Sequence, residues 1–204
     1  MLPQSTFRFD PIPHRYYYGD RRIVGITEAI QSVGLSPAIP ESARRNFAYA
    51  ASRGTTVHKA CELSDLGQSH EYDMDSNLSG YVKAWEKFRI DYGYEPDLVE
   101  VPLGHYIYQF GGTPDTAGYS KKLEAYCVVE RKTCQLQDHF GFQLAGQEIL
   151  VIQGPSGPQH ARKLAVQLKP DSQYVVKEYY DKIYHKLFLN AVSISNWKIS
   201  HRDK

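Results

Sequence analysis

Glu130 and Lys132 stand two residues apart at the end of the run AYCVVERK. On an extended strand that separation aims both side chains at one face, while Arg131 points away. A carboxylate and an ammonium therefore emerge together where an apolar strand ends. Asp115 lies fifteen residues before Glu130, directly after Gly111-Gly112-Thr113-Pro114. A hairpin through Gly118 to Glu124 brings it beside Glu130. Two carboxylates suit a hard divalent cation, Mg²⁺ or Mn²⁺, which takes oxygen ligands and keeps positions open for water and phosphate. With Lys132 to orient that water or to neutralise charge growing on a phosphoryl group, the set fits phosphodiester hydrolysis. Neither fragment says this alone, because Glu-x-Lys often ends a solvated strand and GGTPD often forms a turn.

The elements that must hold these groups can be read from periodicity. The stretches DLVEVPLGHYIYQFGGTPDTAGY and LEAYCVVERKT predict three or four strands with turns at Gly104, Gly111-Gly112 and Ser120-Lys121. In AYCVVERK, Tyr126 and Val128 occupy one face and Cys127 and Val129 the other. Apolar on both sides, the strand belongs in the middle of a sheet. A helix follows over about 140–152, then two strands joined around Pro170-Asp171 and a final helix over roughly 181–197.

Upstream, FRFDPIPHRYYYGDRRIVG reads as a hairpin turning at Gly19-Asp20, with Thr27 capping a short helix through about Val33. Beyond Pro37 and Pro40 come two helical pieces broken at Gly54, with His58 on the second. Leu78, Val82, Trp85 and Phe88 recur at helical spacing within a helix over 76–92. The expectation is α/β architecture, a mixed central sheet flanked by helices, in one domain spanning 1–204. Within it, 1–40 form the hairpin and short helix, 41–95 the helical region with His58, and 96–204 the sheet carrying the reactive groups and the last helix.

A chain of 204 residues can bury a core without cross-links, and 42% hydrophobic with 23% charged residues is ordinary globular usage. Net charge is +1 from 24 basic and 23 acidic residues, so nucleic-acid contact must be local rather than a global positive field. Neither a membrane-length apolar run nor a signal-peptide layout is present, which places the expected site of action in a cytoplasm. Cys61, Cys127 and Cys134 form no CxxC pair, against a zinc ribbon or a disulfide framework.

The order of pieces resembles the PD-(D/E)xK nuclease superfamily, and within it the RecB-like and phage-type exonucleases. The resemblance rests on HRYYYGDRRIVGITEAI, RGTTVH at 53–58, GGTPDTAG, VVERKT and the helix FGFQLAGQEIL. It implies a restriction-endonuclease-like core and a metal-dependent deoxyribonuclease, more an exonuclease than an endonuclease, working in DNA replication, repair or recombination. Asp115, Glu130, Lys132 and Gln143 are then the catalytic set. The same resemblance implies that His58 joins Asp115 and Glu130 in the metal shell, with the Arg131 main-chain carbonyl and its side chain replaceable. Glu100 either assists the metal or is an ordinary edge-strand glutamate. The tyrosine that relatives carry four residues after the glutamine is replaced here by Gln147. Some relatives hold an iron–sulfur cluster on four cysteines; three cannot supply that ligation, so no cluster is expected. A phage origin is implied, with action in the host cytoplasm and a recombination or replication protein as partner.

Arg44, Arg45, Arg53 and Lys59, with Lys121 and Lys122, can line a path for DNA phosphates, or form solvated faces. The 16 tyrosines can stack on bases of single-stranded DNA or serve packing. Two other classes compete: a DNA-binding or assembly protein that keeps the fold without turnover, and a zinc hydrolase using His58 and Glu62 at i, i+4 spacing. The second lacks a further close histidine.

Overall fold

The computed structural model describes residues 6–37, 41, 44–68, 76–153 and 157–201. In chain order it forms β1 (Phe7–Asp10), β2 (Arg15–Tyr18), β3 (Arg21–Gly25), α1 (Ile26–Ser32), α2 (Arg44–Asp65), α3 (Ser76–Tyr92) and β4 (Tyr94–Val99). Then come β5 (Leu103–His105), β6 (Phe110–Gly112), β7 (Thr116–Ser120), β8 (Ala125–Lys132), α4 (Phe140–Ile152), β9 (Arg162–Leu168), β10 (Tyr174–Glu178) and α5 (Ile183–His201).

The larger sheet runs β10-β9-β8-β7-β4, with β8 at its centre as its two-sided apolar pattern requires. Cys127 and Val129 enter a core with Val57, Cys61, Trp85 and Phe88 from α2 and α3. Val128, on the other face, packs with Leu144 of α4. The antiparallel β7–β8 ladder pairs Thr116 with Val129, so the next step along sets Asp115 beside Glu130. β8 and β9 run parallel, with α4 in the crossover between them. On the other edge, β4 pairs β7 in regular register up to Pro96, skips Asp97 as a bulge, and resumes at Leu98 opposite Ala117. The Tyr126 hydroxyl donates to the Asp97 carboxylate at that bulge.

A second mixed sheet, β1-β2-β3-β6-β5, was not anticipated from the sequence, where only the β2–β3 hairpin and its Gly19-Asp20 turn were legible. Tyr16, Tyr18, Phe7 and Phe9 cluster on it. Phe110 and Val24 anchor it to Leu150 of α4 and Phe188 of α5.

Other local expectations need correction. Gly111 and Gly112 lie inside β6 and Gly104 inside β5, not in turns. A Cβ on Gly111 would sit 2.4 Å from the Tyr16 ring and one on Gly112 2.3 Å from Ile26, so these glycines permit close packing. α2 runs unbroken through Gly54. The roughly 1 kcal/mol a mid-helix glycine costs is offset by the buried Val57, Ala60 and Cys61 that follow it. Thr27 caps nothing: α1 begins at Ile26 behind Gly25, whose N–H donates to the Glu28 carboxylate at 3.5 Å. Among the described residues no helix is long and apolar enough to cross a membrane.

Candidate metal centre

Three elements meet at the open end of β7. His58 comes from α2, Asp115 from the residue just before β7, and Glu100 from the residue just after β4. One ligand atom from each lies within 4.8 Å of the other two. His58 Nδ1 is 3.4 Å from Asp115 Oδ2, and that oxygen also accepts the Arg131 main-chain N–H at 2.8 Å. Glu100 adopts φ 49° and its N–H donates to the Asp115 carbonyl at 3.2 Å, which fixes it against its neighbour. Two carboxylates and an imidazole form a donor set that fits Mg²⁺ or Mn²⁺.

Glu130 stands on the α4 side of β8, almost wholly buried. Lys132 Nζ donates to its Oε1 at 2.6 Å and Gln143 Nε2 to the same atom at 2.7 Å. Gln147 Nε2 donates to Oε2 at 2.5 Å, and Lys132 also reaches Gln143 Oε1 at 3.2 Å. Glu130 is thus tied to Lys132, Gln143 and Gln147 rather than gathered with His58, Glu100 and Asp115, although its charge is felt at His58. Gln147, which the sequence shows only as the replacement of an expected tyrosine, joins this set. Its position four residues, one helical turn, after Gln143 was the available signal.

Burial and the facing Asp115 carboxylate push the Glu100 carboxyl up to about 8. Burial acts the same way on Asp115, but His58, Arg131 and Lys132 outweigh it and hold that carboxyl far below its ordinary range. Burial opposes charge on His58 and Lys132 as well. Asp115 outweighs it at His58, and Glu130 with Asp115 does so at Lys132, so both are raised. The cluster combines crowded negative charge with an amine kept cationic.

His58, Glu100, Lys132 and Gln143 all border one cleft of about 1020 Å³, whose walls are α2, the end of α1 and the 132–140 segment.

The larger architecture has a solved counterpart. The fold is similar to that of an alkaline exonuclease. That crystal structure, from Laribacter hongkongensis, matches with a TM-score of 0.51 at 15% identity, over 87% of this chain and 88% of that one. The same enzyme in complex with dAMP matches with a TM-score of 0.48, again at 15% identity and over 87% and 88% of the two chains. No family model matches the sequence, and no curated protein does. At this identity the likeness shows the fold: two mixed sheets flanked by helices.

The remaining expectations divide. Arg131 does point away from Glu130 and Lys132, into the core rather than into solvent. It is fully buried: Nη1 donates to Asp65 Oδ2 at 3.0 Å, and Nη2 donates to Glu100 Oε1 at 3.0 Å and to the Asp115 carbonyl at 3.2 Å. Truncating it strands buried carboxylates.

Lys59 borders the cleft but pairs with Glu62 at 2.9 Å, which also occupies the carboxylate of the zinc alternative. Arg53 donates to the Thr133 carbonyl at 3.4 Å, at the mouth of the β8 end. Arg44 and Arg45 begin α2, but their side chains lie outside the described residues. Lys121 and Lys122 lie apart from the cleft. They occupy the β7–β8 turn, at the opposite end of β7 from Asp115, roughly 20 Å away at about 3.3 Å per residue. There Lys121 pairs with Glu95 and Lys122 covers the Tyr92 ring at 4.1 Å. Cys61 and Cys127 are buried, Cys134 is exposed, and all three are free.

Proposed function

We propose that the protein is a divalent-metal-dependent deoxyribonuclease of the PD-(D/E)xK type, a single nuclease domain that degrades DNA as an exonuclease in replication, repair or recombination. One observation carries the reading: His58, Glu100 and Asp115 offer ligand atoms within 4.8 Å of one another, at a cleft that Lys132 also borders.

His58 Nδ1 and the Glu100 and Asp115 carboxylates would hold Mg²⁺ or Mn²⁺, with the Arg131 carbonyl beside them, while Glu130 stays with Lys132, Gln143 and Gln147. Bound there, the cation supplies Lewis acidity toward a phosphoryl oxygen and a water made acidic enough to attack at neutral pH. Lys132 presents an ammonium that neutralises charge gathering on the phosphorus centre. Glu130 and Gln143 hold that amine in place, and Gln147 fixes the other oxygen of Glu130. The cleft admits the DNA backbone, with Arg53 and Lys59 beside its entrance, and the reaction takes place in a cytoplasm, that of the host if the protein is phage-encoded. A recombination or replication protein is the partner class this activity suits.

The test is a time course on end-labelled linear and closed-circular DNA, single- and double-stranded, with Mg²⁺, with Mn²⁺ and with chelator. Loss of linear DNA with circles intact, dependent on metal, is expected. Cutting of circles replaces the exonuclease reading by an endonuclease one. Retention of DNA without cleavage in either metal selects the non-catalytic binding protein.

A further inference from the structure

We propose that the Arg131 side chain is a positioning residue that assembles the cation site, an inference that rests on the metal-dependent reading above. One guanidinium touches two of the three candidate ligands and the helix that carries the third. Nη2 donates to Glu100 Oε1 at 3.0 Å and to the main-chain carbonyl of Asp115 at 3.2 Å. Nη1 donates to Asp65 Oδ2 at 3.0 Å. Asp65 lies seven residues beyond His58 on α2, two helical turns along the same rod, so holding Asp65 sets the height at which His58 meets Asp115.

The surroundings make this link rigid. The Asp65 side chain is fully buried and also accepts Trp85 Nε1 at 2.8 Å and pairs with Arg89 at 3.2 Å. The Trp85 ring covers the Arg131 guanidinium at 5.3 Å. α2 cannot slide along β8 without breaking a buried ion pair, and Glu100 cannot turn from Asp115 without losing its own. The planar fork matters: it serves carboxylates on two different elements at once, which a single ammonium on a flexible stem does not.

A fixed positive charge beside a cation site also opposes cation binding. Positioning outweighs that repulsion, because Glu100 and Asp115 repel each other and Arg131 gives the Glu100 carboxylate its 3.0 Å ion pair, with His58 attracting it as well. An arginine that merely neutralised the core would affect stability and leave the metal affinity of the folded protein unchanged.

The experiment measures Mn²⁺ binding without DNA, by calorimetry, on the wild type, Arg131→Lys, Arg131→Gln and Asp65→Asn, with circular dichroism and melting curves on each. Expected is a Kd for Mn²⁺ raised about tenfold or more in both Arg131 variants, the scale seen when groups orienting metal ligands are lost. A smaller rise is expected in Asp65→Asn, which loosens α2 while leaving Arg131 on Glu100. If the Arg131 variants do not fold, Asp65→Asn decides. Folded variants with unchanged or tighter Mn²⁺ binding overturn the proposal while the metal reading stands. A wild type that binds no Mn²⁺ overturns both.

Discussion

Among the described residues, the buried charge clusters around Glu148 and around Glu100 feel burial with the same sign. At the first, Glu148 Oε2 of α4 meets Lys163 Nζ at 2.6 Å and His185 Nε2 at 2.7 Å. Desolvation raises that carboxyl, but the two donors reverse it and the net shift is downward. At the second, Glu100 is raised to about 8 by desolvation with the Asp115 charge adding to it. The Glu148 cluster satisfies itself and pins α4, β9 and α5 together. The Glu100 cluster sets one carboxyl against another at the edge of a cleft, a crowding that a divalent cation would relieve. Burial alone therefore does not mark a functional site; a second carboxylate that adds to burial, against too few donors to reverse it, does.

The comparison breaks most visibly at Lys132. Lys132→Ala is expected to reduce DNA cleavage by about 10³-fold, in line with losing one charge-stabilising group, while Mn²⁺ binding survives. Kinetics on end-labelled DNA beside metal calorimetry would test it, and retained activity would remove Lys132 from the chemistry. Lys163→Met is expected to cost about 3 kcal/mol in urea unfolding, the low end for breaking a buried pair because His185 stays with Glu148. Unchanged Mn²⁺ affinity in that variant keeps the clusters independent; a change would show that they communicate.

Stability against pH separates the clusters by sign. Glu148 has a depressed folded pKa, so its contribution is present above its ordinary 4.5 and is lost as pH falls through the folded value. Glu100 has a raised one, so its contribution is complete below 4.5 and lost as pH rises through about 8. Metal-free Glu100→Gln is therefore expected to be about 2 kcal/mol more stable than wild type at pH 9, well short of the full linkage because water screens this partly open group. Urea melts at pH 5 and 9 check this, and saturating Mn²⁺ should erase the advantage. The smallest effect belongs to Lys121→Ala with Lys122→Ala: far from the cleft, the pair is expected to shift stability by under about 0.5 kcal/mol and leave cleavage rates unchanged. A large loss of DNA binding would return these lysines to the substrate path.

Much of the site was legible because its parts are local. Strand parity placed Glu130 with Lys132 and against Arg131, and the short β7–β8 connection brought Asp115 to Glu130. What was missed is non-local. Parity showed that Arg131 points away, yet nothing near it announces that Asp65, 66 residues upstream, waits beneath. Glu100 reads like any edge-strand glutamate, since its approach to Asp115 depends on a bulge and on a φ of 49°. Glycine gave the wrong punctuation at Gly111 and Gly112, because the same residue serves a turn or a tight approach and only the Tyr16 and Ile26 side chains decide which. The N-terminal sheet escaped because β3 pairs with β6, 86 residues later, through two residue pairs.

The bulge at Asp97 works as a vernier between a fixed strand and an adjustable one. Tyr94 is locked against Ser120 and the ladder counts regularly to Pro96; skipping one residue then delivers Glu100 to Asp115. Were Asp97 to pair with Ala117 instead, Val99 would stand opposite Asp115. The His58, Glu100 and Asp115 cluster would then come apart with every one of its residues still encoded. Among distant descendants of such a chain, counting residues along this border strand would tell copies that keep the cluster from copies that have lost it, where comparing the acidic letters would not.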